Sequence, residues 1–193
     1  MPIIIPMLRG VRTAELIKQH ELLCTKNVEN ITNFAVHKKE REINDEINRR
    51  IRATNDALGM RGTNNRGCLY YEAGLEEGGA VVCEHVIPLT VLVNLYRTKR
   101  RPFLELSLYP IARIRKESDK SLTQGGLARN GHDLTHPFKR YRQANPDLQI
   151  QTHQGCPVDL ENWSMKDHWD LVFNTEELKD LLKEFDLEKP TSI

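Results

Sequence analysis

The sequence predicts an α+β fold, in which a small antiparallel β unit is surrounded by packed helices. Ile43, Ile47 and Ile51 recur every four residues, which is typical of the apolar face of a helix. Residues 80–85 and 109–116 have the apolar and alternating patterns of strands. A third pattern, helical spacing near the end of the chain, is formed by Leu178, Leu181, Leu182 and Phe185.

The N-terminal part of the chain is predicted to be a helical arm. Helical periodicity extends over residues 13–58, and Gly59 is expected to end the helix. We therefore divide the chain into a helical N-terminal arm at 1–62 and an α+β domain with an acidic C-terminal helix at 63–193. The arm is expected to pack on the domain or on a second subunit, and the second alternative predicts a homodimer.

Strands and short helices alternate in the domain. In chain order they are predicted at 69–71 (strand), 80–85 (strand), 89–98 (helix), 109–116 (strand) and 117–122 (helix). Ser118 is the expected N-cap of the last helix, and Gly125-Gly126 is expected to close it. Residues 129–158 are polar and rich in Gly, Pro, His and Gln, which predicts an irregular loop region before a helix within 163–187.

The composition favours a globular protein with an uneven charge distribution. The 193 residues include 28 Lys and Arg against 27 Asp and Glu, and 39% are hydrophobic, which argues against a wholly disordered chain. Between Arg97 and Arg142, 12 basic and 4 acidic residues give +8, whereas from Asp147 onward 11 acidic residues and 4 lysines give −7. Such a basic segment predicts a polyanion-binding face, although charges that pair within the domain would give the same composition.

The sequence predicts neither a membrane span nor a disulfide framework. No apolar run approaches the ~20 residues that cross a bilayer, and the start MPIIIPMLRG is too short for a signal peptide, so we expect a cytoplasmic protein. The cysteines have no C-x-x-C spacing and are expected to be mostly buried, reduced thiols. They are Cys24, Cys68, Cys83 and Cys156.

The segment 83–88 (CEHVIP) has the most informative functional pattern. A strand delivers an acid and a histidine side by side at its end, and Pro88 then forces the chain out of the strand. A second strand follows after a connection of about 25 residues and leads into a helix that is opened by acidic residues. The order strand, connection, strand, helix is that of a ββα unit.

This ββα order, together with E-H-x-x-P, resembles the HNH endonucleases, also called ββα-metal or His-Me finger nucleases, over residues 80–122. The resemblance implies that His85 is the general base and that Glu84 and Asp119 hold a single divalent cation, Mg²⁺ or Mn²⁺. The family's middle asparagine, which orients the base, corresponds to Asn94. The protein is therefore expected to be a metal-dependent endonuclease that hydrolyses phosphodiester bonds in DNA, with RNA left open as a substrate.

These residue types suit phosphodiester hydrolysis. A neutral imidazole accepts a proton from the attacking water, and a hard cation held by carboxylates stabilises the negative charge that develops on the phosphate. Arg113 or Arg115 on the second strand is expected to clamp the phosphate. The full set of expected nucleic-acid contacts is Arg100, Arg101, Arg113, Arg115, Lys116, Lys139 and Arg140.

Alternative interpretations stay open. A metal-independent DNA glycosylase or lyase would use an acid and a base without Mg²⁺. In a non-catalytic nucleic-acid-binding protein, Glu84 and His85 would be a strand end that is hydrogen-bonded to a loop. A second polar cluster, at 131–141, contains His132 and His136, and either histidine is a candidate for the same active site.

Overall fold

A five-stranded mixed sheet lies at the centre of the structure, a computed structural model that describes residues 15, 17–23, 37–60, 68–75, 80–99 and 101–190. The strands are β1 (Tyr70–Glu72), β2 (Val81–His85), β3 (Ile111–Arg115), β4 (Ile150–Thr152) and β5 (Pro157–Val158). Their order is β2-β3-β1-β4-β5, with β1 and β3 parallel and all other neighbours antiparallel. The predicted α+β class is confirmed.

Helices surround this sheet. They are α1 (17–23), α2 (His37–Ala57), α3 (Leu89–Lys99), α4 (Phe103–Ser107), α5 (Lys116–Gln124), α6 (Lys139–Ala144), α7 (Met165–Asn174) and α8 (Lys179–Glu184), with a 3₁₀ turn at Glu176–Leu178. Among the described helices, none is long and apolar enough to cross a membrane.

β2, β3 and α5 form the ββα unit that the sequence predicts. The register of the antiparallel pair places Glu84 opposite Ala112 and His85 opposite Ile111. Helix α5 follows β3 directly and packs on both strands. It begins at Lys116, and Ser118 is buried within its first turn, so the prediction of Ser118 as N-cap is wrong. The reason is that β3 runs straight into the helix, and its last residue stands at the N-cap position.

Helix α2 is part of the main core. Ile43, Ile47 and Ile51 are buried, as their spacing predicts, and α2 packs against α3 and α4. The helix ends as predicted, with Gly59 in the left-handed conformation at φ +70°. Within the helical region predicted over 13–58, the stretches 17–23 and 37–57 are helical, and the residues between them, which include the expected caps Asn27 and Asn30 of a second helix, lie outside the described part.

The region 129–158 contains more regular structure than its composition predicts. It holds α6 and the strands β4 and β5, and β4 pairs with β1 in the register Tyr70 to Thr152 and Glu72 to Ile150. These strands are too short to leave a periodic pattern, and they are stabilised by hydrogen bonds to a distant part of the chain. The predicted helix within 163–187 is interrupted at Thr175, between α7 and the 3₁₀ turn.

Candidate functional site

Glu84 and His85 end β2 and point to opposite faces of the sheet. Successive side chains of a strand alternate between its two faces, and the contacts of these two residues follow that rule. Glu84 lies on the face that is covered by α5 and α6, whereas His85 contacts α2. The sequence places the acid and the base side by side, and the strand separates their side chains.

His85 is held by an asparagine from α2. Its Nε2 lies 2.9 Å from Oδ1 of Asn55, while Nδ2 of Asn55 donates to the carbonyl of Ser107 at 2.6 Å. Because the amide nitrogen of Asn55 is used as a donor to Ser107, its oxygen faces the imidazole, and Nε2 of His85 carries the proton. The residue is 8% exposed.

Asn94 does not take the orienting role that the resemblance implies. Its side chain is exposed on α3, because the neighbouring positions Leu92, Val93 and Leu95 turn the other side of the helix toward the core. Asn55 supplies the amide instead. Asn55 continues the four-residue spacing of Ile43, Ile47 and Ile51, so a polar residue in a core stripe was the sequence feature that could have identified it.

Glu84 is paired with a buried arginine. Its Oε1 accepts a hydrogen bond from Nη2 of Arg140 at 2.8 Å, and the Arg140 side chain is fully buried. The same guanidinium donates to the carbonyls of His85 at 2.7 Å, Leu127 at 2.8 Å and Ala128 at 3.0 Å. Arg140 therefore ties the end of β2 to the segment that follows α5.

Glu84 and Asp119 are electrostatic neighbours. Burial raises the pKa of Glu84, Arg140 opposes that effect, and the negative charge of Asp119 raises it further. Burial likewise raises the pKa of Tyr141, and the charges of Glu84 and Asp119 add to the effect. The two predicted metal ligands thus interact electrostatically with each other and with Tyr141. Within the described residues, no group of three or more His, Cys, Asp or Glu side chains is arranged to hold a metal.

Two of the predicted nucleic-acid contacts are structural residues. Arg140 is buried and cannot present its charge on the surface, so that prediction is wrong; the buried charge is needed to pair with Glu84. Arg115 forms an ion pair with the buried Glu72 and donates to the Gly74 carbonyl at 2.5 Å. Its backbone N–H also donates to Oε2 of Glu72, at 2.7 Å, so Arg115 joins β3 to the end of β1.

The other predicted contacts are spread over several elements. Nη1 of Arg101 lies 3.3 Å from Oε1 of Glu105, and Nζ of Lys139 lies 3.7 Å from Oε1 of Glu161. Arg113 is half-buried in β3, and Lys116 is exposed at the start of α5. Arg100 lies outside the described residues.

The two loop histidines differ in their contacts. His132 is exposed, and Nδ1 of His136 lies 3.7 Å from Oδ2 of Asp133 in the same loop. Oδ1 of Asp133 accepts from the backbone N–H groups of Thr135 and His136, at 2.7 and 3.1 Å. These bonds stabilise a local turn, which agrees with the predicted absence of a helix there.

Comparisons with known proteins found no matching family model, no matching curated protein and no matching solved structure. The features of the described residues that bear on function are the acidic pair at the ββα unit and the histidine at the end of β2.

Proposed function

We propose that this protein is a divalent-metal-dependent endonuclease that hydrolyses phosphodiester bonds in DNA. The observation that supports the proposal is the electrostatic interaction of Glu84 with Asp119, on a strand and a helix of one ββα unit. His85 follows Glu84 at the strand end, with its side chain on the opposite face. In this proposal a single Mg²⁺ or Mn²⁺ binds between the two carboxylates, and His85 is the general base.

The net charge around Glu84 and Asp119 favours binding of a cation. Two carboxylates and the guanidinium of Arg140 sum to about −1 at neutral pH when both acids are ionised. Arg140 engages one oxygen of Glu84, and a hard cation with only one or two protein carboxylates completes its shell with water and phosphate oxygens. Substrate phosphate therefore has to supply part of the coordination, and tight cation binding is expected only when DNA is present.

In this proposal His85 takes the proton of the attacking water. Its Nε2 lies 2.9 Å from Oδ1 of Asn55, and this hydrogen bond would orient the ring for that role. Because Glu84 and His85 face different sides of β2, the proposal requires the scissile phosphate to lie over the end of this strand, where the two faces meet.

Exposed cations beside the acidic pair would attract the DNA backbone. Lys116 and Lys120 are exposed and lie one turn apart on α5, on either side of Asp119 in the sequence, and Arg129 is exposed in the segment that follows the helix. Contacts of such residues with phosphates supply the salt-dependent, sequence-independent part of DNA binding.

The test is a plasmid-nicking assay with Mg²⁺ or Mn²⁺ and with excess EDTA. We expect nicking with the metal and none with EDTA, and an Asp119→Asn variant should nick at least ~100-fold more slowly because it loses a metal ligand. The matched control is Glu117→Gln, which changes an exposed acid in the same helical turn and should keep the wild-type rate. Nicking that persists in EDTA, or an unchanged rate in Asp119→Asn, would contradict the proposal.

A second candidate function is a non-catalytic nucleic-acid-binding protein. It is favoured by the pairing of Glu84 with Arg140 and of His85 with Asn55, since both groups already have partners inside the fold. This alternative predicts DNA binding through Lys116 and Lys120 with no cleavage under any metal condition. A binding assay that is run beside the nicking assay separates the two functions.

A further inference from the structure

Two cysteines from different parts of the chain lie close together beside β2. Sγ of Cys68, which lies just before β1, is 3.8 Å from Sγ of Cys83, which lies within β2. The two residues are separated by 15 positions in the sequence. Both are reduced thiols in this structure, and their sulfurs are already close to van der Waals contact.

The two thiols differ in their surroundings. Cys68 is buried, and its S–H donates to the carbonyl of Met60 at 2.9 Å. Cys83 is only partly buried, so it is the more exposed of the two residues. Cys83 is therefore the better candidate for the first oxidation step, and the sulfur of Cys68 lies next to it as a second nucleophile.

An arginine lies opposite Cys83 in the sheet. The register places Arg113 of β3 between Tyr71 of β1 and Cys83 of β2. Burial raises the pKa of Tyr71, with Cys68 and Cys83 adding to the effect and Arg113 opposing it, so these four side chains form one electrostatic cluster. A neighbouring guanidinium stabilises a thiolate, and the thiolate is the form that reacts with oxidants.

We propose that Cys68 and Cys83 are a redox-active dithiol that a peroxide converts into an intramolecular disulfide. In the first step the thiol of Cys83 attacks one oxygen of hydrogen peroxide and becomes a sulfenic acid, with release of water. In the second step the sulfur of Cys68 attacks that sulfur, the S–S bond forms, and a second water leaves. Two thiols are oxidised, one peroxide is reduced, and the reaction needs no other reagent.

The bond requires a small local movement. The sulfurs have to approach from 3.8 Å to about 2.05 Å, and Cys68 has to give up its hydrogen bond to Met60. The resulting cross-link would join the chain before β1 to the centre of β2, immediately before Glu84. The proposal is independent of the nuclease proposal, because it concerns only the chemistry of the two thiols.

The test maps the cysteines of the full-length protein after mild oxidation. The reduced protein is freed of reductant, treated with increasing hydrogen peroxide and quenched with iodoacetamide. Trypsin would leave both cysteines in one peptide, because no Lys or Arg lies between them, so a protease that cleaves after glutamate is used; Glu72, Glu76 and Glu77 lie between the cysteines. We expect Cys68 and Cys83 peptides to be joined, with a mass loss of about 2 Da that dithiothreitol reverses.

The other cysteines provide the controls. Cys156 is exposed, so a Cys156→Ser variant should form the same bridge as the wild type, whereas Cys83→Ser should not form it. The bridge should also appear at a lower peroxide dose than oxidation of Cys156. Absence of the bridge at a dose that oxidises Cys156, or a bridge to Cys24 or between two chains, would overturn the proposal. If Cys83→Ser does not fold, the peptide map of the wild type decides alone.

Discussion

Two histidine-centred polar clusters lie on this sheet, and they differ in how completely each is enclosed. His168 on α7 donates from Nε2 to the carbonyl of Leu108 at 2.9 Å, so its Nδ1 accepts from the hydroxyl of Tyr70 at 2.8 Å. His168 and Tyr70 are fully buried. His85, in contrast, bonds to Asn55 at the end of β2, where the chain bends out of the sheet.

The difference shows that a buried, hydrogen-bonded histidine is not by itself evidence of chemistry. Burial lowers the pKa of His168 to about 4, so its ring is neutral near pH 7, and its bonds join α7 to β1 and to the segment before β3. We assign it a structural role. His85 differs because it follows Glu84, which belongs to an acidic pair, and because it ends a strand, whereas His168 lies within a helix.

The largest expected effect separates the two histidines by activity. Under the proposed function, His85→Ala removes the general base and should lower the nicking rate by about 10²–10⁴-fold, whereas DNA binding should change little. His132→Ala, which alters an exposed histidine, is the control and should cleave at the wild-type rate. Rates are measured from the conversion of supercoiled plasmid. An unchanged rate for His85→Ala would place His85 in the same structural class as His168.

The next effect concerns the acid beside His85. Glu84→Ala leaves the fully buried Arg140 without its counterion, and breaking a buried ion pair on one side costs about 3–5 kcal/mol. We expect a loss of about 3 kcal/mol in the free energy of unfolding, measured by urea denaturation. Glu117→Ala removes an exposed acid and should change this free energy by less than about 0.5 kcal/mol. Equal stability of the two variants would mean that the pair contributes nothing to the fold.

The next expected effect is the contribution of His168 to the pH dependence of the free energy of unfolding. Its pKa is about 4 in the native state and 6.5 when exposed, so between these values the unfolded chain binds a proton that the native protein does not. Its contribution is therefore fully present above pH 6.5 and is lost as the pH falls toward 4, by up to about 1.4 kcal/mol per pH unit.

The measurement compares wild type with His168→Gln by urea unfolding at pH 7 and pH 5. Glutamine keeps a donor and an acceptor but does not titrate in this range, so the variant should lose less stability on acidification. The opposite contribution of Glu84, whose pKa burial raises, is present in both proteins and cancels in the difference. Parallel pH profiles would contradict the assignment of His168.

The sequence predicts helices and strands that have a pattern of their own, but not the contacts between residues that are far apart in the chain. The ββα order could be predicted because β2, β3 and α5 each have their own pattern of apolar residues and turns. Asn55 and Arg140 could not be placed, because they reach the end of β2 from 30 and 56 positions away in the chain. A basic residue in a polar segment has the same appearance in the sequence whether it binds phosphate or, like Arg140, pairs inside the core. The net charge of +8 counted from Arg97 to Arg142 is therefore larger than the positive charge that this segment presents on the surface.

The smallest expected effect tests the remaining surface cations. Lys116 is exposed next to the acidic pair, and Lys183 is exposed on α8 within the acidic C-terminal segment. If DNA lies over the end of β2, Lys116→Ala should weaken DNA binding a few-fold for all sequences and lower the slope of log affinity against log salt by about 1, because one phosphate contact is lost. Lys183→Ala should change neither quantity. Equal effects of the two variants in a fluorescence-anisotropy titration would show that binding follows overall charge, and then DNA would have no preferred position near His85.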